Sequence, residues 1–389
     1  MTDHNLFSII PYKDQLIKLG NPITAYAYYR YHKIDLLTGA STPSHFTDWI
    51  ITHQNQLMSS FQEKPRIIHL FYELGFLIEN KLELLNHDVL LVIDITFTTF
   101  VEIPNKDVMA IELELIHQPT YALYRDAFEE GRAELIKGNC YQFNLTFPFT
   151  YLFKNKYEPE DFIFSLWKNV KKRGAYGSAT YIPYFKKLFI SNSPECLFQY
   201  KKNVLSSMPI KGTLLREKDE DLVILWDKLI KDKKNQAELF MITDLIRNDL
   251  SRIDLPRAVV VKKKFPKIVP GLLHQYSQID VKLRDKVTLW QVIEKIFPGG
   301  SISGAPKRRA IILIEHLEKR ERGFYCGSTL ILHKEMKSAS INIRSSVVDF
   351  NSSLLSFQAG GGITLLSNPK EEFDEMTYKR NSFISTLTI

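Results

Sequence analysis

The spacing of hydrophobic residues along the chain predicts both helices and many strands. Apolar residues that recur every three or four positions indicate helices. These helical segments lie at 44–61, 121–136, 161–172, 236–250, 289–296, 306–323 and from 369 onwards. Short apolar runs and alternating stretches indicate strands. The strand-like segments lie at 23–31, 89–98, 108–116, 140–146, 174–182, 259–268, 272–283, 324–332, 339–348 and 354–359.

Length and composition favour a folded protein of one large domain or two fused domains. The chain has 389 residues, of which 44% are hydrophobic and 12% are aromatic. A chain of this size and composition can bury a sizeable core. We divide it into an N-terminal subdomain at residues 1–116 and a second domain at residues 117–389.

The charge pattern leaves two classes of partner open. There are 51 Lys and Arg residues against 44 Asp and Glu residues, a formal net charge of +7. Such an excess suits either nucleic acid or a small anionic substrate. The basic residues are scattered, and no stacking aromatic platform or recognition helix stands out. We therefore expect no nucleic acid, although a basic nucleic-acid-binding protein stays an alternative.

Cysteine usage and hydropathy predict a cytoplasmic protein outside any membrane. Cys140, Cys196 and Cys326 have no metal-ligand spacing, and an odd number of unpaired thiols suits a reducing compartment. The first residues lack the basic start and the apolar core of a signal peptide. The apolar run at 89–93 is too short to span a bilayer.

The segment at 209–213, with the sequence PIKGT, is predicted to present one lysine on a tight backbone turn. Pro209 fixes its φ angle, and Gly212 permits torsion angles that a side chain would forbid. Lys211 therefore lies between a stiff and a permissive residue, and Thr213 adds a hydroxyl. Taken alone, an ordinary turn with a solvated lysine is the commoner explanation.

A glycine-rich loop at 297–307 runs into a predicted helix and suits an anion. Its exposed amides would face the ligand, and Ser301 lies within it. Ser303 is expected to cap the helix, and Pro306 is tolerated in the first turn.

The last predicted helix carries two carboxylates and an amine on one face. Glu372, Glu375 and Lys379 fall at i, i+3 and i+7. A ladder of salt bridges facing solvent is the simpler explanation. Mg²⁺, however, needs only one or two protein carboxylates besides water and substrate oxygens. Glu238 from the helix at 236–250 and Glu375 would therefore suffice.

Three further side chains become candidate site residues only when they are considered together with the other motifs. Arg344 points away from the isoleucines of the predicted strand at 339–348, so it faces either a cavity or a sheet edge. His274, taken alone, is more often a core or surface histidine than a catalytic one. Glu195, in the tripeptide SPE, would by itself suit a turn.

These motifs follow one another in an order that resembles the chorismate-utilising enzymes. The matching blocks are GNCYQFNLT at 138–146, SPE at 193–195, PIKGT at 209–213, DLIRNDL at 244–250, QAGGGI at 358–363 and EFDE at 372–375. A lysine at the centre of PIKGT resembles the aminodeoxychorismate synthase component I group, because anthranilate synthases usually carry alanine there. The resemblance implies an α+β fold, with two large, mostly antiparallel sheets packed face to face and helices outside.

The resemblance also implies catalytic and carboxylate-binding roles. Lys211, as a neutral amine, would attack C2 of chorismate while Glu195 protonates the departing C4 hydroxyl and later reverses its role. His274 would lie near the substrate ring. Arg344 and Tyr325 would hold the enolpyruvyl carboxylate.

The cofactor implied by the resemblance is Mg²⁺. Glu238 and Glu375 would be its ligands, and Glu372 would support them. The remaining substrate contacts implied by the resemblance are Thr213, Ser301, Gly360, Gly361, Gly362 and Lys379.

The implied reaction converts chorismate and ammonia to 4-amino-4-deoxychorismate on the route to 4-aminobenzoate and folate. Glutamine hydrolysis needs a nucleophilic cysteine with a histidine partner, and none of the three cysteines has the usual setting. We therefore expect a separate glutamine amidotransferase subunit to deliver the ammonia. Anthranilate or isochorismate synthase activity stays an alternative.

A few positions depart from the family pattern. Ser338 and Leu366 stand where aspartate is usual, and Leu330 stands where glycine is usual. Leucine in place of glycine near the pocket would narrow it. These departures leave open a non-catalytic member of the family.

Overall fold

The structure is a computed structural model that describes residues 5–60, 64–215, 221–269, 272–334 and 336–388. Within them it contains strands β1 (Phe7–Tyr12), β2 (Gln15–Tyr28), β3 (His32–Asp35), β4 (Ser41–Pro43), β5 (Arg66–Leu70), β6 (Val92–Ile103), β7 (Glu114–His117), β8 (Gln142–Leu152), β9 (Ser178–Ile182) and β10 (Lys187–Ser191). The later strands are β11 (Cys196–Lys201), β12 (Val204–Met208), β13 (Ile210–Leu215), β14 (Val259–Val269), β15 (Leu272–Lys282), β16 (Gly304–Ala305), β17 (Ser328–Leu332), β18 (Lys337–Ser340), β19 (Ser345–Asp349) and β20 (Leu354–Ile363).

The helices are α1 (Phe46–Gln54), α2 (Leu74–Ile78), α3 (Tyr121–Ile136), α4 (Pro159–Trp167), α5 (Leu222–Lys231), α6 (Lys233–Ser251), α7 (Leu289–Ile296), α8 (Gly300–Ser303), α9 (Lys307–Glu318) and α10 (Pro369–Thr388). Short 3₁₀ turns cover Leu82–Leu84 and Val170–Lys172. No helix in the described ranges has the length and apolarity needed to cross a bilayer.

Strand pairing links these strands into one antiparallel ribbon. Its order is β7-β8-β20-β19-β10-β9-β1-β2-β6-β5-β17-β18-β11-β12-β15. β15 pairs with β12 and β13 in succession and with β14 from Leu272 to Asp280. β3 and β4 extend from β2, and β16 pairs with β8.

The two halves of this ribbon face each other. Nε2 of His69 on β5 lies 2.8 Å from the hydroxyl of Thr180 on β9. The rings of Phe71 and Phe189 meet edge to face at 5.8 Å in the same inner layer. The predicted face-to-face arrangement is therefore confirmed, with the addition that β1 and β2 join the two layers by hydrogen bonds.

Helices cover the outer faces of both layers. Alternate residues of a strand point to opposite faces. On β5, Ile67 belongs to the inner core and Ile68 belongs to the outer core that includes α1 and α7. On β10, Phe189 is in the inner core, whereas Leu188 is in the outer core that includes α3, α4, α9 and α10. Each fully buried aliphatic side chain contributes about 1.5–3 kcal/mol to folding.

The helices with clear start signals match the prediction most closely. α3 and α7 have the predicted bounds. Thr120 accepts a hydrogen bond from Leu123 N at the start of α3, and Thr288 forms a capping box with Gln291 at the start of α7.

The predicted strand at 339–348 is wrong in its middle. Residues 341–344 form a loop between β18 and β19, and Arg344 has a φ of 50°. The backbone there bonds to other loops instead of a strand ladder: Ile341 N donates to Glu195 O at 3.0 Å, and Asn192 N donates to Arg344 O at 2.9 Å. Long-range contacts therefore override the local alternation.

The two predicted domains share this network of strands. β1 pairs with β9, and β5 pairs with β17, so strands before residue 116 bond to strands beyond it. The division at 116 and 117 stays a prediction about the chain.

Candidate active site

Lys211 lies on β13 at a bulge rather than on the predicted tight turn. The register with β15 shifts between Lys211 and Thr213. Gly212 between them has a φ of 75°, and a Cβ atom there would lie 3.0 Å from Gln275, so this crowded left-handed position requires glycine. Nζ of Lys211 lies 3.7 Å from Oε2 of Glu238 on α6. The side chain of Thr213 lies outside the described residues.

Glu195 is a buried carboxyl immediately before β11. Its backbone N–H donates to the Ser193 hydroxyl at 3.1 Å, which fixes its position. Burial raises the pKa of Glu195, and it outweighs the effects of the Ser301 hydroxyl and of three ammonium groups, which lower that pKa. The ammonium groups belong to Lys211, Lys379 and Lys267. A carboxyl with a raised pKa retains its proton closer to neutral pH, so Glu195 is suited to donate one.

His274 lies on β15 and pairs directly with Lys267 on β14. Burial, helped by the charges of Arg344 and Lys267, lowers the pKa of His274 to about 4, although a hydrogen bond to the backbone of Gly212 works in the opposite direction. The imidazole is therefore neutral at pH 7 and can donate or accept a hydrogen bond there.

Arg344 and Tyr325 are both placed in the protein interior. Arg344 is half-buried, and burial lowers the pKa of its guanidinium. Tyr325 is buried, and burial raises the pKa of its phenol, with smaller effects from Cys326 and the Arg322–Glu318 ion pair. The joint contact of Tyr325 and Arg344 with one substrate carboxylate stays a prediction.

The three glycines lie within β20, which continues four residues past its predicted end. A Cβ atom on Gly360 would lie 2.0 Å from Leu145 O, and one on Gly362 would lie 2.3 Å from the Gln142 amide. Gly361 faces α10 instead, where a Cβ atom would meet the carboxylate of Glu372 at 3.2 Å and Nζ of Lys379 at 3.8 Å. The absence of a side chain at Gly361 therefore leaves space between β20 and α10.

α10 brings its charged face against this strand. Nζ of Lys379 donates to Gly360 O and pairs with Oε1 of Glu375, both at 2.8 Å. Glu372 is buried, whereas Glu375 is exposed. The three residues therefore share one face of α10, as predicted. The charge of Lys379 also lowers the pKa of Glu195.

The glycine-rich loop at 297–307 differs from the predicted open anion site. Residues 299–305 are buried, and β16 pairs with β8 between α8 and α9. Ser303 donates to Gly299 O at 2.9 Å instead of capping α9. The capping prediction is wrong because the β16 pairing separates Ser303 from the start of α9. Ser301 is buried near Glu195 and stays a candidate.

The Mg²⁺ site implied by the resemblance would have few protein ligands. Nowhere in the described part of the chain do three Asp, Glu, His or Cys side chains form a group that could hold a metal ion. Glu238 and Glu375 each face an amine, 3.7 Å from Lys211 and 2.8 Å from Lys379. Mg²⁺ prefers carboxylate oxygens and usually takes one or two of them. Glu238 and Glu375 match this ion in ligand type, and their joint binding of it stays a prediction.

A cavity of about 420 Å³ lies beside Glu238, between the end of α3, α6 and residues 364–366. Its volume is in the range of about 300–1,000 Å³ that small-molecule sites occupy. Leu366 lines this cavity and is 69% exposed. Leu330 is fully buried in the outer core that includes α7, so it fills the core rather than lining this cavity. Ser338 is buried on β18.

Two residues near the site are absent from the predicted set. Lys267 on β14 lies directly opposite His274 on β15, and no sequence motif marks this cross-strand pairing. Tyr124 on α3 is fully buried, and its pKa is raised by burial and by Glu372 and Glu375. No local sequence signal marks Tyr124, because its neighbours come from the other end of the chain.

Most of the chain matches a known protein family. Residues 99–385 match the family described as chorismate binding enzyme. Aminodeoxychorismate synthase component 1 of Salmonella typhimurium is 33% identical over 270 residues, which cover 68% of this chain and 57% of that protein. Anthranilate synthase component 1 of Saccharolobus solfataricus is 34% identical over 203 residues, which cover 51% of this chain and 48% of that protein. The chain thus matches about half the length of these relatives.

A solved structure shares the fold. The crystal structure of anthranilate synthase component I from Streptococcus pneumoniae superposes with a TM-score of 0.75 at 20% sequence identity. The match covers 95% of this chain and 91% of that one. The predicted α+β fold is therefore confirmed, and it is the fold of this anthranilate synthase component I.

Proposed function

This chain belongs to the chorismate-binding enzyme family, and we propose that it is an aminodeoxychorismate synthase component I. In this proposal it transfers an amino group from ammonia to chorismate and forms 4-amino-4-deoxychorismate. The observation that carries the proposal is the placement of the Lys211 amine 3.7 Å from Glu238, with its charge acting on the buried carboxyl of Glu195. A nucleophile beside a proton donor is the pair that displacement of a hydroxyl group requires.

The proposed reaction has two halves. The neutral amine of Lys211 forms a bond to C2 of chorismate, both ring double bonds shift by one position (C1=C2 to C1=C6 and C5=C6 to C4=C5), and the C4–O bond breaks while Glu195 donates a proton, so that water departs. Ammonia then forms a bond to C4, both ring double bonds return to their original positions, and the C2–N bond to Lys211 breaks. Glu195, now ionised, accepts the proton that the incoming nitrogen loses.

Other residues would hold the substrate during both halves. Arg344 presents a planar fork to a carboxylate, and neutral His274 offers one hydrogen bond near the ring. The net charge of +7 favours a dianionic substrate. When bound at Glu238 and Glu375, Mg²⁺ would compensate the negative charge that these glutamates share with a substrate carboxylate.

Replacing Glu238 with glutamine is expected to weaken Mg²⁺ binding and activity together, because an amide is a poorer ligand than a carboxylate. Apparent Mg²⁺ affinity should fall by more than the roughly 10–100-fold typical of outer-shell changes. Activity against Mg²⁺ concentration and calorimetric Mg²⁺ titration would measure this. Glu371→Gln, an exposed neighbour of the site on α10, is the matched control. Full activity of the parent in excess chelator would contradict the metal assignment.

Product analysis tests the function directly. Incubation with chorismate, Mg²⁺ and ammonium is expected to yield 4-amino-4-deoxychorismate, identified by chromatography and mass. Glutamine in place of ammonium should yield none, since we propose that a separate glutamine amidotransferase subunit supplies ammonia in the cytoplasm for 4-aminobenzoate and folate synthesis. Anthranilate as the product would favour the second candidate, an anthranilate synthase, which the relative from Saccharolobus solfataricus supports. Isochorismate would point to a third reaction of the family.

A further inference from the structure

We propose that Lys267 is a further substrate-binding residue, which holds one carboxylate of the substrate together with Arg344. The inference rests on the proposed function only in taking chorismate as the substrate, whichever product follows.

The strand register directs Lys267 toward the site. Lys267 on β14 is the direct partner of His274 on β15, and side chains of directly paired residues lie on the same face about 4.5–5.5 Å apart. His274 in turn pairs with Thr213 on β13, two residues after Lys211. His274 is buried, as are its strand neighbours Leu273 and Gln275, so both faces of the hairpin are covered at this level. Thr213, His274 and Lys267 are therefore neighbours on three adjacent strands, β13, β15 and β14.

The pattern of ion pairs distinguishes Lys267 from the other two lysines near Glu195. Lys211 pairs with Glu238, and Lys379 pairs with Glu375. Among the residues that the structure describes, no carboxylate lies within the ion-pairing distance of 4.0 Å from Lys267 or from Arg344. Burial disfavours the charged form of both side chains, and it lowers the pKa of each. A half-buried cation gains most from an anionic ligand.

Both cations lie near the same imidazole. The charges of Arg344 and Lys267 each lower the pKa of His274. The two residues come from different elements: Lys267 from β14, and Arg344 from the 341–344 loop, whose Ile341 N donates to Glu195 O at 3.0 Å. A carboxylate between them would meet a planar fork from Arg344 and a point charge from Lys267. The charge of Lys267 also reaches Glu195, which places this carboxylate close to the proton donor.

The test is direct binding of chorismate to the intact protein, measured by calorimetry without ammonium. Lys267→Met is expected to lower the affinity by roughly 10- to 100-fold, the range that loss of a charged hydrogen bond produces. Lys267→Arg should recover most of this loss because it retains the charge. Lys263→Met makes the same change at an exposed position of the same strand and should bind like the parent.

Two readouts separate a substrate contact from a structural role. The effects of Lys267→Met and Arg344→Met should be non-additive, because both side chains serve one carboxylate. In the kcat/KM profile of Lys267→Met, the acid limb should move to higher pH, because the pKa of Glu195 is no longer lowered by the ammonium. Unchanged affinity in Lys267→Met, with a folded variant, would overturn the proposal.

Failure of this inference is distinguishable from failure of the proposed function. A parent protein that binds chorismate but forms no aminodeoxychorismate would refute the function, and the comparison of Lys267→Met with Lys263→Met would still decide the role of Lys267. A parent protein that binds no chorismate would overturn both proposals.

Discussion

Replacing Lys211 with arginine is expected to abolish formation of 4-amino-4-deoxychorismate. Arginine keeps the positive charge and can still pair with Glu238, but it supplies no neutral nitrogen at usable pH. An electrostatic role would survive this change, whereas a covalent role would not. We expect kcat to fall by roughly 10³-fold or more, since loss of a nucleophile removes the first bond-forming step. Product formation from chorismate and ammonium is the measurement.

The control for this variant is the same exchange at an exposed site. Lys201→Arg, on β11, should retain parent activity. Mass spectrometry of the parent mixed with chorismate, without ammonium, should detect a covalent adduct that Lys211→Arg lacks. Product formation by Lys211→Arg near the parent rate would make Lys211 an electrostatic residue and would reopen the choice among reactions of the family.

Glu195→Gln is expected to lower kcat by about 10²–10⁴-fold, the contribution typical of a general acid or base. Glutamine has nearly the same shape as glutamate, and a buried carboxyl with a raised pKa already resembles a neutral amide. The variant should therefore fold, which thermal unfolding would check. Glu294→Gln changes an exposed glutamate of α7 and should leave the rate unaltered. A parent-like rate for Glu195→Gln would remove its assignment as acid and base.

The pH dependence gives a second test of Glu195. The reaction needs one proton shared between Glu195 and Lys211, so activity falls when the pair takes up a second proton at low pH. Because burial raises the pKa of Glu195, we expect this acid limb to lie above the ordinary value of 4.5. Glu195→Gln should lose the limb altogether. An acid limb in Glu195→Gln at the parent's pH would assign the titration to another group.

The features of the site that were predicted best from the sequence are those set by the conformation of a short segment of the backbone. The requirement for glycine at position 212 could be inferred from the PIKGT segment, and the structure explains it by the bulge in β13. The shared face of Glu372, Glu375 and Lys379 follows from helical spacing alone. α3 and α7 were predicted to the residue from the spacing of their apolar residues, and the structure shows that threonine caps fix where they begin.

Prediction failed where distant segments decide the structure. Residues 341–344 alternate like a strand, yet their backbone bonds to loops that lie far away in sequence. β1 to β5 were mostly missed, since short strands such as β5 are recognisable only with partners like β17, more than 250 residues later. The position of Lys267 opposite His274 was missed because it depends on a cross-strand register, which single-residue patterns do not contain.

The position of α10 in the chain has a consequence for biosynthesis. This helix carries Glu372, Glu375 and Lys379, and it follows every strand that the structure describes. On the ribosome the nascent polypeptide therefore presents Lys211 and Glu195 well before the amine of Lys379 and its carboxylate neighbours are translated. At elongation rates of about 5–20 residues per second, several seconds separate Lys211 from α10. In the proposed reaction, Lys379 and its carboxylate neighbours can therefore contribute only once α10 has been translated and docked on β20.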